Sequence, residues 1–337
     1  MSEHSSRTWQ FAEVVEAFDP AEGVRGLVLR PDRPYPVAPG AHIDIEVSHE
    51  GRQIRRSYSV VNSEKEGGLW TLSVQLARNS RGGSRAMHEL VVGSRLRVAG
   101  PLQNFPLGVG ASRYVLLAGG IGITALAAMA TALRRRKADY QLNFVGRTRG
   151  VMAYLDQLVL EHGEHVTVHV DDEDTSLDVK ALIDEVAGSS AASDTELYMC
   201  GPIGLMEAVK HEWTARGLAL PNLRFETFAN SGAWATEAFR VSIPALPLEV
   251  TVGTDVSLID ALEDAGVEVM WGCRKGECGL CSVRVLDCDG TIDHRDVFLS
   301  ESQKTTDTTL CLCVSRVATG GDTTRSSELR TLTIDLP

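Results

Sequence analysis

Trp271-Gly272-Cys273-Arg274-Lys275-Gly276-Glu277-Cys278-Gly279-Leu280-Cys281 is the most informative stretch of this 337-residue chain. Its three cysteines are spaced C-x4-C-x2-C, and Cys311 and Cys313 follow downstream, which is the ligand spacing of a plant-type 2Fe–2S cluster. Thiolate is a soft, charge-donating ligand, so three from one loop and one from a distant strand can hold two irons. Gly272, Gly276 and Gly279 allow the loop positive φ and turn its amides toward the sulfurs. Structural zinc sites favour paired C-x2-C knuckles, and only one short spacing exists here. Seven cysteines are an odd count for a disulfide framework, and the polar N-terminus carries no export signal, so the expected compartment is the reducing cytoplasm.

The fourth ligand is not chosen by spacing. Thr309-Leu310-Cys311-Leu312-Cys313-Val314-Ser315-Arg316 reads as a strand, and the two-residue period puts Cys311 and Cys313 on one face. Cys288 and whichever of that pair is not a ligand are spare thiols.

The length predicts two or three domains, and 43% hydrophobic with 23% charged residues is ordinary for a globular protein. The longest apolar run, residues 115–130, is broken by glycines and falls short of the ~20 residues that span a bilayer, so no membrane association is expected. Of the net charge of −12, residues 241–337 hold −8, from sixteen acids against eight bases. That balance disfavours nucleic acid and suggests a protein partner with a basic docking surface.

Residues 9–100 offer β-rich runs at 11–18, 24–30, 42–47, 56–61, 69–77 and 94–99 with no long helix, the pattern of a small Greek-key barrel. Within them, Arg55-Arg56-Ser57-Tyr58-Ser59-Val60 alternates so that Arg56, Tyr58 and Val60 share a face. Downstream, Arg81-Gly82-Gly83-Ser84 precedes a helical pattern over 85–90. Glycines at a helix start expose amides to an anion and Ser84 can add a hydroxyl, which makes a phosphate cradle.

From Arg113 the period changes. Apolar runs at 114–118, 142–145, 166–170 and 197–200 alternate with helical stretches near 123–136, 152–161, 178–186 and 203–216, the signature of a parallel sheet covered on both faces. Gly119-Gly120-Ile121-Gly122-Ile123-Thr124 and Cys200-Gly201-Pro202 each follow a strand, where ligands of such sheets bind. The first is a glycine turn that lets amides approach a pyrophosphate, although it is not G-x-G-x-x-G. In the second, glycine leaves room for a flat ring beside the Cys200 thiol and proline starts a helix. Arg147 and Arg149 follow the second strand, where the adenosine end belongs, while Asp171-Asp172-Glu173-Asp174 would repel a further phosphate. Residues 230–240 read as a linker. Beyond them come runs at 239–243 and 248–252, a helix from Ser257 to Ala265 with Ser257 as N-cap and Gly266 as stop, the cysteine loop, and a strand over 282–286.

Together these segments resemble the phthalate dioxygenase reductase family across essentially the whole chain. The resemblance implies an FMN-binding barrel over 1–106, an NAD-binding α/β domain over 107–229 and a β-grasp ferredoxin domain over 241–337. It implies that Arg56, Ser57, Tyr58 and Ser59 hold the flavin and Gly82, Gly83 and Ser84 its phosphate. Gly119, Gly120, Gly122, Thr124 and Arg147 then take the dinucleotide, with Cys200, Gly201 and Pro202 at the nicotinamide and Cys200 as the catalytic candidate. Cys313-Val314-Ser315-Arg316 is similar to the run around the last ligand of that family, so the implied set is Cys273, Cys278, Cys281 and Cys313. His294 reads as a surface residue. Nicotinamide gives two electrons as hydride and an iron–sulfur cluster takes one, so a flavin between them is the converter. The expected function is a reductase passing electrons from NADH through FMN and a 2Fe–2S cluster to a Rieske-type oxygenase or demethylase. The alternatives are a stand-alone NADH oxidoreductase, a donor to a cytochrome P450 and, more remotely, a redox sensor.

Overall fold

The computed structural model describes residues 8–49, 51–77, 82–228, 234, 236–246, 248–254, 256–320 and 329–336. Arg81 and residues 230–233 and 235 of the expected linker lie outside them. The chain forms two compact units, Met1–Glu226 and Thr227–Pro337. Thr227 and Phe228, read from sequence as the end of the nucleotide domain, therefore group with the C-terminal unit.

The first unit begins with a sheet of seven strands, Trp9–Ala21, Val24–Pro31, Ala41–His49, Arg52–Ser59, Asn62–Glu64, Leu69–Gln75 and Arg95–Gln103. Every pairing in it is antiparallel. Asn62–Glu64, short and polar, is the strand that hydropathy did not indicate. The strands Arg52–Ser59 and Asn62–Glu64 are the two ends of the strand order, yet only Val60 and Val61 separate them in the chain. Val60 N–H donates to Ala41 O at 2.9 Å and Val61 N–H to Thr71 O at 2.8 Å, so the ends are stitched together and the sheet closes as a barrel. Closure leaves no exposed sheet edge there. Leu27, Leu29, Ile43, Ile45, Trp70 and Leu72 fill the interior, and the helix Gly83–His88 adds Ala86 and Met87 to the same core.

The five remaining strands of the unit, Arg113–Gly119, Tyr140–Gly146, Val166–Val170, Thr195–Cys200 and Leu223–Glu226, form an all-parallel sheet. Alternation sends Leu116, Ala118, Leu142, Phe144 and Tyr198 to a core shared with the helices Ile123–Arg136 and Leu155–His162. Val115, Leu117, Leu197 and Met199 face the opposite core, covered by the helices Val179–Gly188 and Ile203–Ala215. Burial on both faces explains why these strands read as continuous apolar runs. Sheet order places Arg113–Gly119 between Tyr140–Gly146 and Thr195–Cys200, so the direction of winding reverses between the first and fourth strands. Ligands of open α/β sheets bind at that switch point, beyond the carboxyl ends of the strands. Val24 and Val61 from the barrel join the core of this sheet, and the Ser73 and Tyr154 hydroxyls meet at 2.5 Å, so barrel and sheet pack as one body.

The second unit is a mixed five-stranded sheet in which Phe239–Ile243 pairs antiparallel with Leu248–Val252 and parallel with Arg330–Asp335. Ser282–Cys288 follows Arg330–Asp335 and carries Thr309–Cys311 at the edge. Helix Leu258–Asp264 packs Leu258, Ile259 and Leu262 into the core, with the Ser257 hydroxyl accepting the Asp260 N–H and Gly266 at φ +80° ending the turn, as the sequence predicts. This is a β-grasp arrangement. Among the described residues no helix is long and apolar enough to cross a membrane.

Candidate redox site

In the barrel, strand register pairs Arg56 with Ile45 and Tyr58 with Ile43, so both side chains share the face of buried core residues, while Ser57 and Ser59 point the other way. Gly83 starts its helix against Arg56: a Cβ there would lie 2.9 Å from Arg56 Cγ, and one on Gly82, at φ +90°, 2.5 Å from the His49 ring. The guanidinium is thereby brought beside the backbone amides of the helix start, the arrangement an anionic phosphate requires. The Ser84 hydroxyl accepts the Ala77 N–H at 3.2 Å. Burial pushes the Tyr58 phenol up to about 12 against the opposing Arg56 charge, so it remains a neutral hydrogen-bond donor through the neutral range.

Ser57 is exposed and donates to Asp44 Oδ1 at 2.6 Å, so it is not brought together with Arg56 and Tyr58. Ser59 is buried and donates at 3.3 Å to Glu226 Oε2, a carboxylate only 1% exposed at the carboxyl end of the last parallel strand. Sequence reasoning missed Glu226 because its strand, Leu-Arg-Phe-Glu, is only four residues long and half of it is charged.

The two glycine motifs of the parallel sheet touch across the switch point. A Cβ on Gly122 would lie 2.1 Å from Cys200 O, one on Gly119 2.5 Å from Pro202 Cδ, and one on Gly201 3.0 Å from Gly119 Cα. Only glycine lets these turns close on each other and leave their amides open above the sheet. Cys200 is 1% exposed at the end of its strand, and Pro202 caps the helix Ile203–Ala215. Thr124, expected to face the dinucleotide, is 2% exposed and donates its hydroxyl to Ile121 O at 2.9 Å, so it shapes the turn. Arg147 is exposed just past its strand. Arg149 is committed to Glu173 through a two-pronged contact at 2.7 and 2.9 Å.

In the second unit Cys281 and Cys313 Sγ atoms lie 3.3 Å apart, and the Cys313 thiol also reaches the Cys273 sulfur. Cys273 Sγ accepts the N–H groups of Lys275 and Glu277, each at 3.3 Å, and Cys278 Sγ accepts the Cys273 N–H at 3.4 Å. The hydrogen bond from Cys313, reinforced by these amides, holds Cys273 below the ordinary thiol range. Hydrogen bonds from Cys311 and Cys313 do the same for Cys281, and Cys311 and Cys313 are pushed up in return. The strand expected through both late cysteines ends at Cys311, and residues 312–314 turn, with Val314 and Ser315 N–H groups donating to Cys311 O at 3.2 and 3.0 Å. That turn brings Cys313 to the sulfurs of both Cys273 and Cys281, whereas Cys311, fully buried opposite Ser282, makes its sulfur hydrogen bond to Cys281. Of the three loop glycines, Gly276 and Gly279 have positive φ, +76° and +71°. Gly272 does not; a Cβ there would lie 2.8 Å from Leu280 Cδ1, the tip of an exposed side chain that can move aside, and 3.2 Å from Cys278 Sγ. His294, expected at the surface, is 7% exposed in its side chain, with Nε2 2.8 Å from Asp307 Oδ1. No group of three or more His, Cys, Asp or Glu side chains among the described residues converges as one ion needs. A two-iron cluster is held by sulfurs spread over a longer span, and this all-thiolate donor set with N–H donors on its sulfurs fits one.

A closed barrel joined to a parallel nucleotide-type sheet, with a cysteine-rich β-grasp unit following, defines an oxidoreductase that carries electrons between a flavin and an iron–sulfur centre. Residues 26–106 match the oxidoreductase FAD-binding domain model, and residues 245–318 match the 2Fe–2S iron–sulfur cluster binding domain model. The chain is 35% identical over 308 residues to a tetrachlorobenzoquinone reductase of Sphingobium chlorophenolicum, covering 88% of this chain and 91% of that one. It is 34% identical over 287 residues to a vanillate O-demethylase oxidoreductase of Pseudomonas sp. (strain HR199 / DSM 7063), covering 83% and 87%. The solved structure of phthalate dioxygenase reductase, described as modular for electron transfer from pyridine nucleotides to 2Fe–2S, superposes with a TM-score of 0.76 at 26% identity over 97% of this chain and 98% of that one. The chain belongs to the phthalate dioxygenase reductase family, flavin and iron–sulfur reductases that serve oxygenase and demethylase systems.

Proposed function

We propose that this reductase draws on NADH, uses FMN, and delivers electrons through a 2Fe–2S cluster held by Cys273, Cys278, Cys281 and Cys313 to a Rieske-type oxygenase or demethylase in the cytoplasm. The observation that carries the ligand set is the contact of Cys313 with both Cys273 and Cys281. Bound flavin supplies acceptance of a hydride and release of single electrons, and the cluster supplies a one-electron relay. The chain's own part is placement. Arg56 and the amides at Gly82 and Gly83 would hold a terminal phosphate, with Ser84 beside them and Tyr58 donating to the flavin. Ser59, fixed by Glu226, would border the same site from the strand's other face. Gly119, Gly120 and Gly122 would admit the pyrophosphate, Gly201 and Pro202 would shape a slot for the nicotinamide beside Cys200, and Arg147 would meet the adenosine end. Commitment of Arg149 to Glu173 supports NADH, because it removes a cation that a 2′-phosphate would need.

Heat-denatured, cofactor-loaded protein is expected to release FMN and no FAD, and kcat/KM is expected to favour NADH over NADPH by at least about tenfold, the scale of one lost charge-assisted contact. Release of FAD, or equal use of NADPH, overturns those two assignments. Likeness to a tetrachlorobenzoquinone reductase favours one second reading, direct reduction of a small acceptor such as a quinone. Quinone turnover that survives unchanged in a chain unable to bind the cluster would select it.

A further inference from the structure

Thr227, 4% exposed, holds the cysteine loop by the two residues whose amides point at a candidate ligand. Its backbone N–H donates to Glu277 Oε1 at 2.5 Å, and its hydroxyl sits 2.7 Å from the same oxygen and 3.1 Å from Lys275 O. A hydroxyl has one proton, so it serves one of these acceptors at a time, with the shorter contact to the carboxylate favoured. Lys275 and Glu277 are the same two residues whose N–H groups donate to Cys273 Sγ. The loop's other flank is anchored independently. Arg274, at φ +54°, lays its guanidinium 3.9 Å over the Trp271 ring and contacts Asp260 at 2.7 Å and Glu263 at 2.6 and 2.7 Å. The segment between Cys273 and Cys278 is thus pinned at Arg274 on one side and at Thr227 on the other.

We propose that Thr227 is a positioning residue that aims the Lys275 and Glu277 amides at Cys273 and thereby raises the reduction potential of the cluster. This rests on the reading of Cys273 as a ligand. Hydrogen bonds to ligand sulfur draw off electron density and favour the reduced, more negative state. Thr227 is the informative position because changing it alters no charge. Replacing Glu277 would also remove a negative charge beside the cluster, which by itself raises the potential and hides the effect.

The test is a redox titration, followed by electron paramagnetic resonance, of the full chain loaded with both cofactors, as parent, Thr227→Val and Thr227→Ser. Valine keeps the shape and loses the hydroxyl; serine keeps the hydroxyl. The reduced-to-oxidised ratio at a fixed potential is expected to fall about tenfold in Thr227→Val, the size of one lost charge-assisted hydrogen bond, while Thr227→Ser titrates with the parent. Loss of the cluster from Thr227→Val with retention in Thr227→Ser supports the same role. Thr227→Val titrating with the parent, or both variants shifting alike, overturns it. A parent without any reduced-cluster signal overturns the ligand assignment itself, which the other outcomes leave standing.

Discussion

Cys273→Ser is expected to cut electron delivery to an oxygenase or cytochrome-like acceptor by at least about a hundredfold while NADH still bleaches the flavin at the parental rate. Serine is a harder ligand and its alkoxide is far less available than a thiolate near neutrality. Cys273 is also the sulfur that Cys313 contacts and that the Lys275 and Glu277 amides address, so its loss removes a proposed ligand and strands two donors. The barrel and the parallel sheet lie in a separate unit, with their own cores, and do not depend on it. Stopped-flow absorbance of flavin reduction, beside steady-state reduction of a protein acceptor, reads the two halves apart. Parental delivery by the variant would mean that electrons bypass the cluster.

Gly122→Ala is expected to act on the other half, raising KM for NADH by at least about tenfold and lowering stability by about 1–3 kcal/mol. The new Cβ would sit 2.1 Å from Cys200 O and 2.5 Å from Cys200 C, both backbone atoms between two strand ends that cannot swing aside. Relief requires the Gly119–Gly122 turn to part from Cys200-Gly201-Pro202, which are the two walls of the candidate dinucleotide site. φ is −59° at Gly122, so the penalty is steric and owes nothing to the left-handed region. Flavin binding at Arg56 and the Gly82–Gly83 helix start is expected to persist, and denaturant unfolding together with NADH saturation kinetics checks both effects. An unchanged KM would detach this turn from nucleotide binding.

Periodicity made most of the fold legible. The parallel strands, buried on both faces, announce themselves as apolar runs, and the helix from Ser257 was readable from its cap and its glycine stop. What escaped was short or polar: Asn62–Glu64 closes the barrel with three hydrophilic residues, and Leu223–Glu226 completes the parallel sheet with four. The glycine motifs were visible as motifs, but their contact across the switch point depends on strand order, which hydropathy does not carry. Direction within the strand was legible: the alternation that puts Arg56 and Tyr58 on one face turns Ser57 toward Asp44, and its place among the flavin residues came from the resemblance alone. Cys313 could not be preferred on spacing, because the turn that separates it from Cys311 lies inside what reads as one strand. Thr227 and Glu226 carried no local signal; each matters through a partner distant in sequence.

Anaerobic titration with NADH tests the central claim most directly, that electrons arrive in pairs and leave singly. Fully loaded parent protein is expected to take up about 1.5 equivalents per chain before bleaching is complete, two electrons for flavin and one for the cluster, and Cys273→Ser about one. An end point of about one equivalent in the parent, with no paramagnetic signal from a reduced cluster, would contradict it.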